Sequence, residues 1–307
     1  MNSNFLFERA AGFVSTHNTS LAMDLLRQLL HDDPNHAPAH WLLGAILLDE
    51  KRLVAAEHEL KLSLELDPTA PDAHLSLGRL FFLKRNSKTA LACIAEAQRL
   101  DPENEEALIL HGVILESLFK MDEALASYNA ALAIEPTSID ALVARGDLFF
   151  ARKQISEALD DVTVALKGDP EDAKANVLMS QVQLYLGNVD EARYHAMFAI
   201  SLDPTDASAL NAIGNVKARE SWFLGLWWRA NARVTSTAPL KQSMILVGAF
   251  IFFRVLAQLL SDLEYPLASS IVSNGWLLIV LYSWVGLPLY QRMLRTEIET
   301  FMFSDDF

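Results

Sequence analysis

The sequence predicts an all-α protein: a solenoid of about six 34-residue helical hairpins, followed by two transmembrane helices. Three observations lead to this prediction. Six of the eleven prolines recur at intervals of 34 residues, and two long apolar stretches lie near the end of the 307-residue chain. The whole net charge of −14 falls on residues 1–220, while residues 221–307 hold six basic and six acidic side chains. Two unlike parts are therefore joined near residue 220.

The repeat is marked by columns of residues that return every 34 positions. A proline column contains Pro34, Pro68, Pro102, Pro136, Pro170 and Pro204. An alanine column contains Ala22, Ala56, Ala90, Ala124, Ala158 and Ala192. A third column holds small residues: Ala10, Gly44, Gly78, Gly112, Gly146, Ser180 and Gly214. Small side chains at fixed places let two helices approach closely, so each repeat is expected to be a helical hairpin.

The order of elements within one repeat follows from where these residues fall. Apolar side chains at helical spacing, such as Leu43, Leu47 and Leu60, indicate amphipathic helices. The proline is expected to end the second helix, because it cannot continue the hydrogen-bond ladder. Acidic residues that follow it, such as Glu105 and Glu106, are expected near the first turn of the next helix, where the dipole favours them.

The repeat resembles the tetratricopeptide repeat family. Within one unit the matching residues are Leu108, Gly112, Leu115, Ala124, Tyr128, Ala131 and Pro136. The resemblance covers about residues 3–220, with residues 3–36 as a cap and a half-unit at 207–220. It implies hairpins stacked into a right-handed superhelix whose concave face binds a ligand, each unit touching only its neighbours. The fold by itself does not name the ligand.

The resemblance also places the ligand groove on the first helix of each unit. The groove residues it selects are Trp41, Leu48, Leu75, Arg79, Phe82, Ile109, Phe150 and Tyr185. This set is mainly apolar, which favours a protein or peptide ligand that offers an amphipathic helix or an apolar segment. With only Arg79 and Lys174 basic, recognition of an acidic C-terminus is disfavoured. The alternative is that about half of the mapped positions pack in the core, with Trp41 and Phe82 the better groove candidates.

The second part of the chain predicts a membrane anchor at residues 242–290. Residues 244–260 are apolar except for Arg254 and Gln258, and residues 271–290 carry no charge. A bilayer span needs about 20 mostly apolar residues. We therefore expect spans at about 242–261 and 270–290, joined as a hairpin.

The flanking charges predict the orientation of this hairpin. Five basic residues lie outside the two spans, at 229, 233, 241, 292 and 295, and the connecting loop has none. Cytoplasmic segments carry the excess of Lys and Arg, so the solenoid and the tail at 291–307 are both expected in the cytoplasm. A looser resemblance of the layout to membrane-bound bacterial repeat proteins indicates a bacterial inner membrane. The residues alone also allow a eukaryotic organelle that faces the cytosol.

Two groups of residues near the anchor have more than one interpretation. The juxtamembrane segment 221–241 contains Trp222, Trp227, Trp228 and Arg229, which suit the headgroup zone of a bilayer or would cap the solenoid core. Arg254 lies inside the first span, where a charge is costly. One interpretation is that Arg254 contacts a partner membrane subunit or a lipid headgroup. The other is that its side chain extends to the membrane surface or forms a hydrogen bond within the hairpin.

The composition excludes several functions. The acidic charge argues against nucleic-acid binding, and one Cys rules out a disulfide framework. No residue pattern indicates a cofactor, a metal or an active site, so we expect a protein that is not an enzyme. The leading hypothesis is a membrane-anchored adaptor that recruits a protein or peptide through the solenoid. The alternative is an assembly subunit of a membrane complex, in which the hairpin is the recognition element.

Overall fold

A computed structural model describes residues 3–16, 18–220 and 239–275, and all regular structure within these ranges is helical. The first ten helices are α1 Ser3–Ser15, α2 Thr19–Asp32, α3 Ala37–Asp49, α4 Leu53–Leu66, α5 Pro71–Leu83, α6 Ser87–Leu100, α7 Glu105–Ser117, α8 Met121–Ile134, α9 Ile139–Ala151 and α10 Ile155–Gly168. The others are α11 Ala173–Leu186, α12 Val189–Leu202, α13 Ala207–Glu220 and α14 Pro239–Asp262. Residues 266–275 are also helical.

The chain divides into two compact units, Met1–Ala165 and Leu166–Phe307. In the first unit, α1 packs on α2, α3 on α4, α5 on α6 and α7 on α8, which confirms the predicted hairpins. The first helices also pack on one another, α1 on α3, α3 on α5, α5 on α7 and α7 on α9. They form one continuous surface of the first unit, called here the first-helix face. In the second unit, α11 and α13 both pack on α12.

In three hairpins of the first unit, a glycine of the first helix meets a large side chain of the second. A Cβ atom added at Gly112 would lie 2.4 Å from Cε1 of Tyr128, and one added at Gly44 would lie 2.7 Å from Cγ of Leu60. In the second unit, Ser180 takes the place of the glycine. Its hydroxyl donates a hydrogen bond of 2.7 Å to the Ala192 carbonyl, so the polar side chain is satisfied within the hairpin.

The turns inside the five hairpins from α3–α4 to α11–α12 repeat one backbone feature. One residue in each of these five turns has a positive φ, and these residues are spaced by 34 positions: Lys51, Arg85, Phe119, Lys153 and Gly187. The four residues other than glycine have φ between 60° and 62°. Their position in a left-handed conformation costs energy for any residue with a Cβ atom. The repeated turn is therefore imposed by the packing of the two helices rather than by the turn residue.

The turns between hairpins confirm the predicted role of the proline. The helices α2, α4, α6, α8, α10 and α12 each end two residues before a proline of the column. In three turns a side chain six residues later donates to the carbonyl of that proline. His40 Nε2 donates to Pro34 at 3.0 Å, His74 Nε2 to Pro68 at 3.0 Å, and Asn176 Nδ2 to Pro170 at 2.9 Å.

The C-terminal part gives no support to the predicted membrane spans. Across residues 3–16, 18–220 and 239–275, no helix is both long and apolar enough to cross a bilayer. The helical residues 266–275 fold back on α14, since Ser269 Oγ donates to the Ala257 carbonyl at 2.7 Å. Residues 221–238 and 276–307 lie outside the described part of the chain, and with them lie most of the predicted second span and the tail.

Candidate functional site

Two of the predicted groove residues lie in the core of the first unit. Leu48 is 3% exposed and packs with the buried side chains of Leu47 and Leu80. Leu75 is 6% exposed and packs with Ile94 in the next core cluster. These two leucines hold neighbouring hairpins together and offer almost no area to a ligand.

Four other predicted residues, Trp41, Phe82, Ile109 and Phe150, keep part of their surface open on the first-helix face. Trp41 packs on the clusters on both sides of α3, and Phe82 packs on the cluster around Ile94. Because one side of each ring is anchored in the core, the other side is presented without a large loss of side-chain entropy on binding. Tyr185 belongs to the second unit and is 57% exposed on α11.

Arg79 is the basic residue of the predicted set, and it is engaged within the protein. Its guanidinium forms an ion pair with Glu106 on α7, and both side chains are about half exposed. An exposed pair of this kind adds little to stability. Its effect on the first-helix face is to neutralise a positive charge that a carboxylate ligand would use.

Trp41 lies at the edge of a cavity of about 260 Å³ in the first unit, called here the Trp41 cavity. The lining residues are Phe7, Ala37, Pro38, Trp41, Ser63, Asp67, Ala70 and Asp72. The Trp41 indole N–H donates to Ser76 Oγ at 3.2 Å, and Ser63 Oγ donates to the Ala37 carbonyl at 3.0 Å. These two donors at the cavity wall are therefore satisfied inside the protein, and the rest of the lining is aromatic, aliphatic or acidic.

The two charged residues that line the Trp41 cavity are both acidic. Thr69 donates to Asp67 Oδ1 from its hydroxyl at 2.7 Å and from its backbone at 2.9 Å, and these bonds lower the pKa of Asp67. Partial burial, and then the charge of Asp101, raise the pKa of Asp72. A carboxyl group whose pKa is raised in part by a neighbouring carboxylate indicates a region of negative potential.

A second polar feature lies inside the hairpin of α7 and α8. Tyr128 is fully buried, and its hydroxyl donates to Glu116 Oε2 at 3.1 Å. Burial, and then the charges of Glu116 and Asp147, raise the pKa of Tyr128. Glu116 belongs to α7 and Asp147 to α9, so both lie on first helices.

Asp67 and Asp72 were not predicted from the sequence. Asp67 belongs to an acidic column that immediately precedes the prolines of the 34-residue column: Asp33, Asp67, Asp101, Glu135, Asp169 and Asp203. That column is typical of turns, and Asp67 does accept turn hydrogen bonds. Asp72 is an ordinary first-turn acid of α5. No pattern along the chain distinguishes these two carboxylates from the others, because only packing brings them to Trp41.

The predicted membrane-interface residues Trp222, Trp227, Trp228 and Arg229 lie outside the described ranges. Arg254 is exposed on α14, between the exposed apolar side chains of Ile251 and Val255. One turn further, Gln258 donates to Asp262 at 3.0 Å. In the part of the chain that the structure describes, no three His, Cys, Asp or Glu side chains are grouped so that they could hold a metal ion.

Paired helices of 13 or 14 residues, repeated every 34 positions, define an α-helical hairpin repeat protein. The family follows from the sequence. A sequence model of the tetratricopeptide repeat family matches residues 8–71 and 75–139. These matched residues carry tetratricopeptide repeats, as the repeat columns predicted. No curated protein sequence gives a significant match.

Solved structures from several organisms share this fold. PilF of Pseudomonas aeruginosa is 18% identical with a TM-score of 0.56, over 68% of this chain and 95% of that one. TTC0263, a thermophilic repeat protein of Thermus thermophilus, is 20% identical with a TM-score of 0.54, over 60% and 100%. Yeast Tom70 is 21% identical with a TM-score of 0.55, over 79% and 50%. At these identities the likeness shows the fold alone.

Proposed function

We propose that this protein is an interaction scaffold that binds a protein or peptide segment on the first-helix face. The observation that carries the proposal is the row of partly exposed aromatic side chains on that face, Trp41, Phe82 and Phe150, of which Trp41 and Phe82 are anchored in core clusters. Rigid aromatic rings that are partly open to solvent are the usual anchors of protein interfaces. They suit a segment with apolar side chains at helical or extended spacing.

A peptide selection on the purified full-length chain tests this proposal. Phage-displayed random peptides are selected on the wild-type protein and then measured against Phe82→Ser and Val54→Ser. Val54 is 81% exposed on the second helix α4, so its substitution removes an apolar side chain away from the first-helix face. We expect selected peptides to lose at least about tenfold in affinity for Phe82→Ser and to bind Val54→Ser as they bind the wild type. Equal binding to all three proteins would contradict the assignment of the face.

We also propose that the C-terminal part holds this scaffold at a membrane, with both chain ends in the cytoplasm. Support comes from the 20 residues 271–290, which carry no charge, and from the five basic residues that flank the apolar stretches. Tethering raises the local concentration of a recruited partner without new contacts. A bacterial inner membrane fits this arrangement and the looser resemblance of the layout.

Carbonate extraction of membranes from cells that express the full chain tests the anchor. We expect the protein to stay in the membrane pellet, and a version that ends at residue 238 to be released. Release of the full-length protein by carbonate would contradict membrane insertion. A reporter fused after residue 265 should be inaccessible from the cytoplasmic side if the predicted orientation is right.

Arg254 supports a second candidate, in which the hairpin joins this protein to other membrane subunits as an assembly factor. An exposed guanidinium among apolar side chains on α14 is costly in lipid unless a partner satisfies it. Native mass measurement after mild detergent extraction separates the two candidates. A complex that dissociates in Arg254→Leu, but not in Phe82→Ser, favours assembly through the hairpin.

A further inference from the structure

We propose that the Trp41 cavity binds the cationic side chain, Arg or Lys, of the segment that occupies the first-helix face. The proposal rests on the proposed function and adds the chemistry of the ligand. The segment is expected to be apolar where it meets Phe82 and Phe150, and to place one basic side chain beside Trp41.

The walls of the cavity fit a cation. Phe7 and Trp41 bring two aromatic rings to its edge, and the faces of such rings attract Arg, Lys and quaternary ammonium groups. Because the indole N–H of Trp41 is already donated to Ser76, the part of Trp41 that can contact a ligand is its apolar surface. The ring of Phe7 also contacts the ring of His36, and the two ring centroids are 5.5 Å apart.

The charges of the cavity also favour a cationic ligand. Both charged lining residues, Asp67 and Asp72, are carboxylates, and they reach the cavity from opposite ends of the turn between α4 and α5. The hydrogen bonds from Thr69 keep Asp67 in its charged form over a wider pH range. A guanidinium or ammonium group placed between them gains charge-assisted hydrogen bonds, whereas an anionic or purely apolar group gains none.

The size of the cavity suits a side chain better than a drug-sized molecule. Its volume of about 260 Å³ is below the range of roughly 300–1,000 Å³ that is usual for sites of drug-sized molecules. The cavity is also continuous in the fold with the first-helix face, because Trp41 and Phe82 belong to α3 and α5, which pack on each other. A side chain is therefore the occupant that a segment lying on this face can deliver.

A titration with a minimal probe tests the cavity. The purified full-length chain, labelled with 5-fluorotryptophan, is titrated with N-acetyl-arginine amide while its ¹⁹F NMR spectrum is recorded. The Trp41 signal is assigned from the spectrum of Trp41→Phe. N-acetyl-citrulline amide is the control probe, since it has nearly the same shape as the arginine derivative and no charge.

We expect a saturable shift of the Trp41 signal with the arginine probe and none with the citrulline probe over the same concentrations. Asp72→Asn should weaken arginine binding about five- to tenfold, because the charge of one of two partly exposed carboxylates is lost. Trp41→Leu replaces the aromatic ring with an aliphatic side chain and should weaken arginine binding roughly two- to thirtyfold. Because this variant lacks the Trp41 signal, its affinity is measured from the NMR signals of the probe. Asp190→Asn, which removes a 90% exposed carboxylate in the second unit, should bind as the wild type does.

Equal binding of the two probes, or an Asp72→Asn variant with unchanged affinity, would overturn the proposal. The peptide selection described above distinguishes this failure from a failure of the proposed function. Selected peptides that need Phe82 but contain no Arg or Lys would overturn the cavity assignment and leave the scaffold function standing. If no peptide is selected and the arginine probe still binds through Asp72, the cavity is a cation site and the scaffold function is the part that fails.

Discussion

Single side chains decide how closely the two helices of a hairpin approach each other. Gly112 has no Cβ atom, and the ring of Tyr128 occupies the space where that atom would be. The ring cannot move aside easily, because its hydroxyl is bonded to Glu116. Glycine is unfavourable inside a helix, but at this position it allows the two helices to pack closely.

The first residue-scale prediction compares two glycines in helices. Gly112→Ala should destabilise the protein by about 1–3 kcal/mol, because the new methyl group would lie 2.4 Å from the Tyr128 ring. Gly12→Ala is the matched control, since nothing lies within 4 Å of a Cβ atom at that position in α1. The control should be stabilised by about 0.5–1 kcal/mol through helix propensity alone. Urea unfolding followed by circular dichroism measures both, and equal effects of one sign would contradict this account.

The second residue-scale prediction concerns the repeated turn. Phe119 has a φ of 61° and its side chain is 86% exposed, so it strains the backbone and contributes little packing. Phe119→Gly should stabilise the protein by about 0.5–1 kcal/mol, after allowance for the greater freedom of glycine in the unfolded chain. At the same place in the second unit, Gly187→Ala should destabilise it by about 1 kcal/mol. Opposite shifts of the urea midpoint are the expected result.

At the scale of elements, buried polar side chains link the helices of a hairpin. Arg145 on α9 donates two hydrogen bonds, of 2.8 and 2.7 Å, to the carboxylate of Asp161 on α10. In the second unit, His195 Nδ1 donates to Asn176 Oδ1 at 2.8 Å, and this bond links α12 to α11. Because these groups are shielded from water, their hydrogen bonds are electrostatically stronger than those of exposed pairs.

The element-scale prediction is a loss of stability between pH 7 and pH 5. Burial lowers the pKa of His195 and of His111, so the unfolded chain binds more protons than the folded one as the pH falls below about 6.5. Stability is therefore present at neutral pH and is lost as the pH falls towards the folded pKa values. Carboxyl groups with lowered pKa values, such as Glu57 and Glu220, act in a separate window below about pH 4.5.

The double variant His111→Gln and His195→Gln separates these two effects. Glutamine keeps a hydrogen-bond donor but does not titrate, so the variant should lose less stability than the wild type between about pH 7.5 and pH 5.0. His31→Gln, which replaces an exposed histidine on α2, is the control for removal of a histidine. A pH dependence that is unchanged in the double variant would show that other groups cause it. Urea unfolding at each pH provides the measurement.

At the scale of the whole molecule, the charge of −14 belongs to the repeats and repels itself. The urea midpoint of the full chain should therefore rise as NaCl increases from about 10 to 150 mM at pH 7.5, where the Debye length falls from roughly 30 to 8 Å. The rise should nearly vanish at pH 5.0, close to the sequence isoelectric point of about 5.0. Salt should also weaken binding of the arginine probe. A fall in the midpoint with salt at pH 7.5 would mean that attractive pairs, not repulsion, dominate.

Much of the fold could be predicted because the same residues recur at a fixed interval along the chain. Pro34 and its equivalents mark where each second helix ends, and Gly112 and its equivalents mark where two helices meet. The candidate site could be predicted only in part. Trp41 and Leu48 both occupy positions that the family uses for its groove, yet Trp41 is partly open and Leu48 is buried. Position along a helix does not reveal whether the next hairpin covers a side chain.

The sequence by itself determined the hairpin unit, its period of 34 residues and its family, because helix periodicity, small residues and proline act locally. Only the tertiary structure decided which side chains face a ligand and which carboxylates lie together. Asp67 and Asp72 stand on either side of a turn and meet Trp41 and Phe7 across three helices. Their meeting depends on how neighbouring hairpins pack, and that packing is the sum of many weak contacts between residues far apart in the chain. A local sequence pattern therefore does not predict how neighbouring hairpins pack.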